Sequence, residues 1–256
     1  MLGVKMDTLW GNRVDIAVQR LQSFVPPEGY FLAFSGGKDS QAIYHLAVQA
    51  EVPFDAHYSV TGVDPPELLR FIKQYYPNVI WDRPKKTMWQ LIVDKGRPPT
   101  RVVRYCCDVL KESTGDGRMV ITGVRAAESG RRSKTKLIQG CQRRHKTLLH
   151  PILDWSDQDV WAYHASLNLP HCSLYDEGFS RIGCIGCPLT SPTQQKLEFS
   201  RWPKYEALYR RACDKSFARR VERGLPMDWT CGKDMFDWWL GDRPQEKESA
   251  QIGLFE

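Results

Sequence analysis

The chain has 256 residues, 42% of them hydrophobic, which suffices for a substantial core in one or two domains. No apolar run is long enough to span a bilayer, and Met1 to Asp7 carry no apolar signal region, so a membrane or secreted protein is not expected and the chain is assigned to the cytoplasm. In that compartment eight cysteines read as ligands, reactive thiols or buried apolar groups rather than a disulfide frame, and 36 basic against 30 acidic residues, a net charge of +6, suit anionic ligands such as nucleotides.

Val14, Ala17, Val18 and Leu21 recur at helical spacing and predict an amphipathic helix from about Thr8 to Ser23, ended by Pro26-Pro27-Glu28-Gly29. The apolar run Tyr30 to Phe34 predicts the first strand. It leads into Ser35-Gly36-Gly37-Lys38-Asp39-Ser40, a glycine-rich turn that opens a second helix with Ala42, Ile43, Leu46, Ala47 and Ala50 on its apolar face. Phe54 to Val60 predicts the second strand. Pro65-Pro66-Glu67 starts a helix with Leu68, Leu69, Phe71 and Ile72. Val79-Ile80-Trp81 is a short third strand, and Met119 to Thr122 a fourth, closed by Gly123.

Strands alternating with helices predict an α/β fold with a parallel sheet and helices on both faces. Ligands bind such sheets beyond the carboxyl ends of the strands, where both Ser35 and Gly123 stand. From about Gln194 the pattern changes to helical-looking stretches rich in basic and aromatic residues. The expected organisation is a nucleotide-binding domain over residues 1–190, which also carries the four paired cysteines, and a basic helical C-terminal appendage over residues 191–256 with a loosely held tail from Gly241 to Glu256.

The turn has the makings of a phosphate site. Gly36 and Gly37 let backbone N–H groups approach closely, and the new helix adds its partial positive end. Ser35 and Ser40 can donate hydroxyls, Lys38 can neutralise oxygen charge, and Asp39 can hold Mg2+ or a bound water. The spacing is not that of a Walker loop. The alternative is an ordinary strand-to-helix turn with glycines for tightness. Arg125, just after Gly123, is placed for a bidentate contact to phosphate or sulfate. Arg131, Arg132, Lys134 and Lys136 continue in a polar segment that reads either as a loop over the nucleotide or as solvated surface.

Cys106-Cys107 and Cys184-Ile185-Gly186-Cys187 form the second constellation. A four-thiolate metal or iron–sulfur site needs such a pair and a distant C-x-x-C. Thiolates suit both iron and zinc, and two unligated buried thiols beside an unrelated C-x-x-C are the third option. Arg104, Lys111 and Arg181 are near these cysteines in sequence. Cys141, Cys172, Cys213 and Cys231 default to buried, inert thiols, and His145, His150, His164 and His171 to structural or surface residues.

The loop resembles the PP-loop of the adenine nucleotide alpha hydrolases, which bind ATP and cleave between its α and β phosphates. Thr61-Gly62-Val63-Asp64-Pro65-Pro66-Glu67 is similar to the T-G-x-x-x-P-E stretch of their sulfonucleotide (APS and PAPS) reductase branch. Thr122-Gly123-Val124-Arg125 through Ser129 and Arg132, the Trp155–Tyr163 stretch, and Tyr175-x-x-x-Gly178 running to Cys184-x-x-Cys187 match further motifs of that branch in order. The resemblance implies an adenine-nucleotide site at Ser35, Gly36, Gly37, Lys38, Asp39, Ser40, Gly123 and Arg125, with catalytic roles for Lys38, Asp39 and Arg125. It also implies a 4Fe-4S cluster on Cys106, Cys107, Cys184 and Cys187.

Two activities fit. The complete Ser-Gly-Gly-Lys-Asp-Ser loop favours an ATP pyrophosphatase that adenylates a target oxygen for sulfur transfer, as the DNA phosphorothioation and RNA-thiolating enzymes do. A cysteine desulfurase is then a candidate sulfur donor, and the basic C-terminal region a candidate nucleic-acid contact. The alternative is a sulfonucleotide reductase releasing sulfite, with Cys231 in Thr230-Cys231-Gly232-Lys233 as its nucleophile, although the Glu-Cys-Gly-Leu-His tail of the assimilatory reductases is missing. A non-catalytic nucleotide-binding iron–sulfur subunit is the third reading. The sequence leaves the oligomeric state open.

Overall fold

The computed structural model describes residues 3–241, so the tail expected from Gly241 onward lies, beyond that residue, outside the described residues. The chain divides into two compact units. The first holds the described residues up to Val60, 66–83 and 111–182, and the second holds 61–65, 84–110 and the described residues from Gly183. This boundary differs from the one at residue 190 expected from composition.

The first unit is built on a six-stranded sheet in the order β3-β2-β1-β4-β6-β5. Its strands are β1 (Tyr30–Ala33), β2 (Phe54–Ser59), β3 (Ile80–Asp82), β4 (Met119–Ile121), β5 (Ile138–Cys141) and β6 (Lys146–Leu149). Its helices are α1 (Gly3–Ser23), α2 (Lys38–Gln49), α3 (Pro66–Tyr75) and, after the sheet, α6 (Asp157–Ser166). β1 pairs in parallel with β2 and β4, β2 with β3, and β4 with β6. The sheet is not wholly parallel as expected: β5 runs antiparallel to β6 at the edge. Only Gln142–Arg144 and a left-handed His145 (φ 47°) link the two strands, which is too short for a crossover and so makes a hairpin.

Leu32, Ile43, Leu46, Ala47, Ile72, Ile121 and Leu149 are fully buried and form the core of this unit. Each large aliphatic side chain among them contributes roughly 1.5–3 kcal/mol by leaving water. From β1 the chain winds outward through β2 and β3, then returns to the other side of β1 with β4. The strand order therefore reverses between β1 and β4, and the crevice beyond their carboxyl ends is where such sheets bind ligands.

The second unit contains α4 (Met88–Lys95), α5 (Tyr105–Leu110), α7 (Pro192–Arg201), α8 (Pro203–Glu222) and α9 (Gly232–Trp239). α8 is polar on most of its surface, but Tyr209, Ala212, Cys213 and Ser216 make a buried stripe. The three small residues let α4 come close, and the Ser216 hydroxyl donates to the Ile92 carbonyl at 3.3 Å. Around Tyr209 the rings of Trp89, Phe199 and Trp239 pack at 5.0, 5.6 and 4.8 Å between centroids. The Trp239 indole donates to the Pro99 carbonyl at 2.7 Å. Among the described residues no helix is long and apolar enough to cross a membrane.

Candidate functional site

In the first unit the turn after β1 is organised by its own side chains. Ser35 donates to the Ser40 hydroxyl at 3.1 Å, Ser40 to the Gly37 carbonyl at 2.9 Å, and Gln41 Nε2 to the Gly36 carbonyl at 3.0 Å. Gly37 caps α2 with extended backbone and no side-chain bond, as a turn that offers N–H groups to a ligand must. Gly123, after β4, packs directly on this helix start. A Cβ there would lie 2.9 Å from the backbone carbon and oxygen of Asp39, closer than real Cβ contacts come.

The charged residues form one cluster. Arg125, only 3% exposed, donates from Nε to Asp39 at 2.6 Å and from an Nη to Asp157 at 3.0 Å. Lys38 is 4% exposed, with Nζ 3.1 Å from Asp157 and 3.7 Å from Asp39. Two buried cations are thus matched by two more exposed carboxylates. Lys38, Asp39 and Arg125, expected from the sequence to share a site, lie in this one ion-pair cluster, and Asp157, not expected, joins them. The signal was present: Ser156-x-x-Asp159 is a capping box, with Ser156 accepting from the Asp159 N–H at 3.1 Å, and it sets Asp157 in the first turn of α6.

Two other residues touch the loop. The Tyr175 hydroxyl accepts the Lys38 backbone N–H at 2.9 Å, taking an amide at the very start of α2, while its ring leans edge-on against Trp161. His164 is buried, not a surface residue, and its Nε2 donates to the Lys38 carbonyl at 2.8 Å. His150 is also buried, at the end of β6. Its Nδ1 meets the Thr122 hydroxyl at 2.7 Å, its Nε2 is buried without a partner, and burial, aided by the Arg132 charge, pushes its pKa down to about 4. Arg132 pairs with Glu128, which also accepts the Arg125 backbone N–H at 3.0 Å.

The second unit gathers the two cysteine pairs. Cys106 is buried in α5. A hydrogen bond with Cys107, burial, and then the charges of Cys107, Cys184 and Cys187 all push its thiol far up. The aromatic Tyr209 senses Cys184, Cys106 and Cys187 together. No disulfide forms among the described residues. Nor, among them, do three His, Cys, Asp or Glu side chains close on a position for one metal ion.

The C-x-x-C loop is held by its own unit. Gly186 (φ 69°) donates its N–H to the buried Glu198 carboxylate at 2.7 Å, and a Cβ on it would sit 2.7 Å from the Phe199 ring. Tyr209 donates to the Ile185 carbonyl at 3.1 Å. From the other side, Ile185 N–H donates to Val63 at 2.8 Å, and the Cys184 thiol reaches the Thr61 hydroxyl at 3.6 Å. The Asp64 carboxylate shapes that Thr61–Asp64 turn by accepting from the Thr61 N–H and hydroxyl at 2.8 and 2.7 Å. Cys172 and Cys213 are buried, and burial raises both thiols, that of Cys213 to about 12.

A mostly parallel sheet with a serine-and-glycine turn at its switch point gives this chain a fold similar to that of adenine nucleotide alpha hydrolase-like proteins. A phosphoadenosine phosphosulfate reductase domain model matches residues 29–190, and the chain belongs to that family, which is one of enzymes. An uncharacterized protein of Methanocaldococcus jannaschii is 29% identical over 72% of this chain and 42% of its own length. The adenosine 5'-phosphosulfate reductase of Lysinibacillus sphaericus is 27% identical over 58% of this chain and 65% of its own. The chain thus spans less than two thirds of either relative. In fold it is similar to a phosphoadenylyl-sulfate (PAPS) reductase from Candida auris solved as a phosphate complex (TM-score 0.50, 17% identity, 72% of this chain and 96% of that one). It is also similar to Candida glabrata FMN adenylyltransferase in complex with ATP (TM-score 0.51, 18% identity, 70% and 62%).

Proposed function

We propose that this chain is an ATP pyrophosphatase that adenylates an oxygen of a nucleic acid for replacement by sulfur. The observation that carries the reading is Asp39. It opens α2 within a complete Ser-Gly-Gly-Lys-Asp-Ser loop, its carboxylate is steered by Arg125, and it remains accessible where a magnesium–phosphate pair would sit. The loop amides and the Ser35 and Ser40 hydroxyls bind the outer phosphates. Lys38 and Arg125 exchange part of their carboxylate contacts for phosphate oxygens, and Asp39 with Asp157 would hold a Mg2+ ion brought in with the nucleotide, which would supply further positive charge to the phosphates. The target oxygen attacks the α-phosphorus and the α–β bond breaks. Pyrophosphate leaves with the bonding electrons, stabilised by cations already in place, and where the target oxygen or its enol form carries a proton, that proton passes to water. A dithiol reduces the persulfide of a sulfur donor, for which a cysteine desulfurase is a suitable source, to hydrosulfide and leaves as a disulfide. The hydrosulfide then displaces AMP together with the activated oxygen, and its sulfur takes that oxygen's place.

Cys106, Cys107, Cys184 and Cys187 fit a 4Fe-4S cluster. The Cys106 thiol is pushed up by burial and by Cys107, Cys184 and Cys187 around it, which brings all four cysteines to one place, and soft thiolates suit iron. Such a cluster supplies a soft, redox-active iron centre for sulfur. The residues of the chain build its housing: Glu198 fixes the loop amide and the Tyr209–Trp239 pair excludes water.

The second reading, a sulfonucleotide reductase, is favoured by the adenosine 5'-phosphosulfate reductases among the relatives. It requires a reachable nucleophilic thiol. Cys231 is exposed, but its carbonyl accepts the Met235 N–H at 3.2 Å and caps α9, so it is anchored rather than carried on a tail. The deciding experiment incubates the anaerobic protein with labelled ATP, or with APS or PAPS and a dithiol. AMP and pyrophosphate formation lost in Asp39→Ala supports the first reading. Sulfite formation lost in Cys231→Ser overturns it in favour of the second.

A further inference from the structure

We infer that the groove between α4 and α8 binds the phosphodiester backbone of a nucleic acid. A cavity of about 550 Å³ lies there, lined by Lys85, Lys86, Lys95 and Arg219 around one carboxylate, Asp94. A smaller recess shares Asp94, Lys95 and Arg219 and extends the array to Arg220 and Arg223. Six cationic side chains thus surround one acid, in a chain whose total charge is only +6.

The arrangement within the groove is specific. Asp94 binds Lys86 at 2.7 Å and Arg219 at 2.8 Å, and those two bonds hold its carboxyl below the usual range. Lys85, Lys95 and Arg223 have no carboxylate partner among the described residues. Arg219 and Arg223 are one helical turn apart on α8 and its C-cap, while Lys85 and Lys86 precede α4 and Lys95 ends it, so the cations come from both elements. Cations spread over the cavity and the adjoining recess suit a repeating anion better than a single phosphate. The apolar lining residues are Leu91 and Val109 in the cavity and Val93 and Leu225 in the recess, none of them aromatic and all outnumbered by the charged residues, whereas backbone phosphate contact needs charge alone. Calling the bound polymer the sulfur acceptor rests on the function proposed above; the binding itself does not.

The test is fluorescence anisotropy of the full chain with a short labelled DNA or RNA oligonucleotide, read as a function of salt. Affinity should fall steeply between about 50 and 200 mM salt, and Lys95→Gln with Arg223→Gln should flatten the log–log slope by about 1.5, at roughly 0.7–0.9 per phosphate contact. Asp94→Asn releases Lys86 and Arg219 and should tighten binding by about three- to tenfold at low salt. These residues are exposed, and circular dichroism will confirm that the variants fold. An unchanged slope in the double variant, weaker binding in Asp94→Asn, or equal competition by polyglutamate overturns the proposal, the last in favour of an acidic protein partner. ATP cleavage measured without nucleic acid is independent. If it is absent while groove binding persists, only the acceptor assignment falls; if ATP is cleaved but no oligonucleotide binds, the groove proposal falls alone.

Discussion

The glycine turn and the cysteine pocket handle charge in opposite ways. In the turn, Lys38 and Arg125 are buried but already matched by Asp39 and Asp157, so the site is electrically complete within the chain. A phosphate must enter by exchanging partners, which favours a ligand carrying its own cation. In the pocket, the neighbours that weigh on Cys106 are other thiols, and every one pushes it the same way. Cys106 is thereby held as a neutral thiol, and the cluster proposed above would bring the positive charge that lets it ionise. A compensated site can be well ordered before its ligand arrives, whereas an uncompensated one couples its order to the ligand.

The sharpest way to break this contrast is to remove one thiol. Cys184→Ser is expected to reduce bound iron from about four per chain to none in anaerobically purified protein, since a cluster held by Cys thiolates needs its full set. Iron assay and visible absorbance measure it. A wild-type protein that is colourless and carries one zinc per chain would show that the pocket is filled by a different ion.

The next effect belongs to the first unit. Burial lowers the His150 pKa to about 4 from an ordinary 6.5, with the Arg132 charge adding to it. Between those values the unfolded chain binds a proton that the folded chain refuses. Stability is therefore full above about pH 6.5 and is lost as the pH falls toward 4, by on the order of 3 kcal/mol from this residue. Urea denaturation across that range should show a shallower loss in His150→Asn. An identical pH profile in the variant would mean that the imidazole is not held neutral.

Gly123→Ala tests whether the compensated cluster is also precisely placed. The new Cβ would press on the Asp39 backbone, displacing the first turn of α2 and with it Asp39, one of the two carboxylates on Arg125, while Asp157 on α6 stays in place. A displacement of about 1 Å at such a site is expected to cost about 100-fold in ATP cleavage. Steady-state assays together with a thermal melt separate this from loss of fold.

Much of the nucleotide turn was legible because its chemistry is contiguous: six residues between a strand and a helix carry the glycines, hydroxyls, lysine and aspartate. The alternating strands and helices likewise gave the sheet that holds it. Asp157, His164 and Tyr175 complete the turn from far along the chain, and no local pattern reveals that His164 reaches the Lys38 carbonyl. β5 escaped because Gln139 and Gly140 are exposed on an edge, so the strand lacks an apolar signature. The cysteines stood out by residue type, but their housing did not. α8 reads as a solvated basic helix, since the small residues Ala212, Cys213 and Ser216 that let α4 approach carry little hydrophobic signal. Nor does a composition change at residue 190 reveal that Thr61–Asp64 joins the cysteine-bearing unit through Ile185.

The smallest expected effect bears most directly on how the compensated turn admits a ligand. The Tyr175 hydroxyl takes the Lys38 N–H that a phosphate oxygen would otherwise take, at the positive end of α2. Trp161, edge-on at 5.1 Å between ring centroids, holds the tyrosine ring whether or not the hydroxyl is present. Tyr175→Phe therefore frees the amide without removing the wall. One hydrogen bond between neutral groups has a net value of about 0.5–1.5 kcal/mol, so pyrophosphate should bind up to about tenfold more tightly to the variant. Isothermal titration calorimetry measures this. Weaker binding would mean that the hydroxyl turns outward and donates to the ligand, making Tyr175 a member of the phosphate site rather than a stand-in for its occupant.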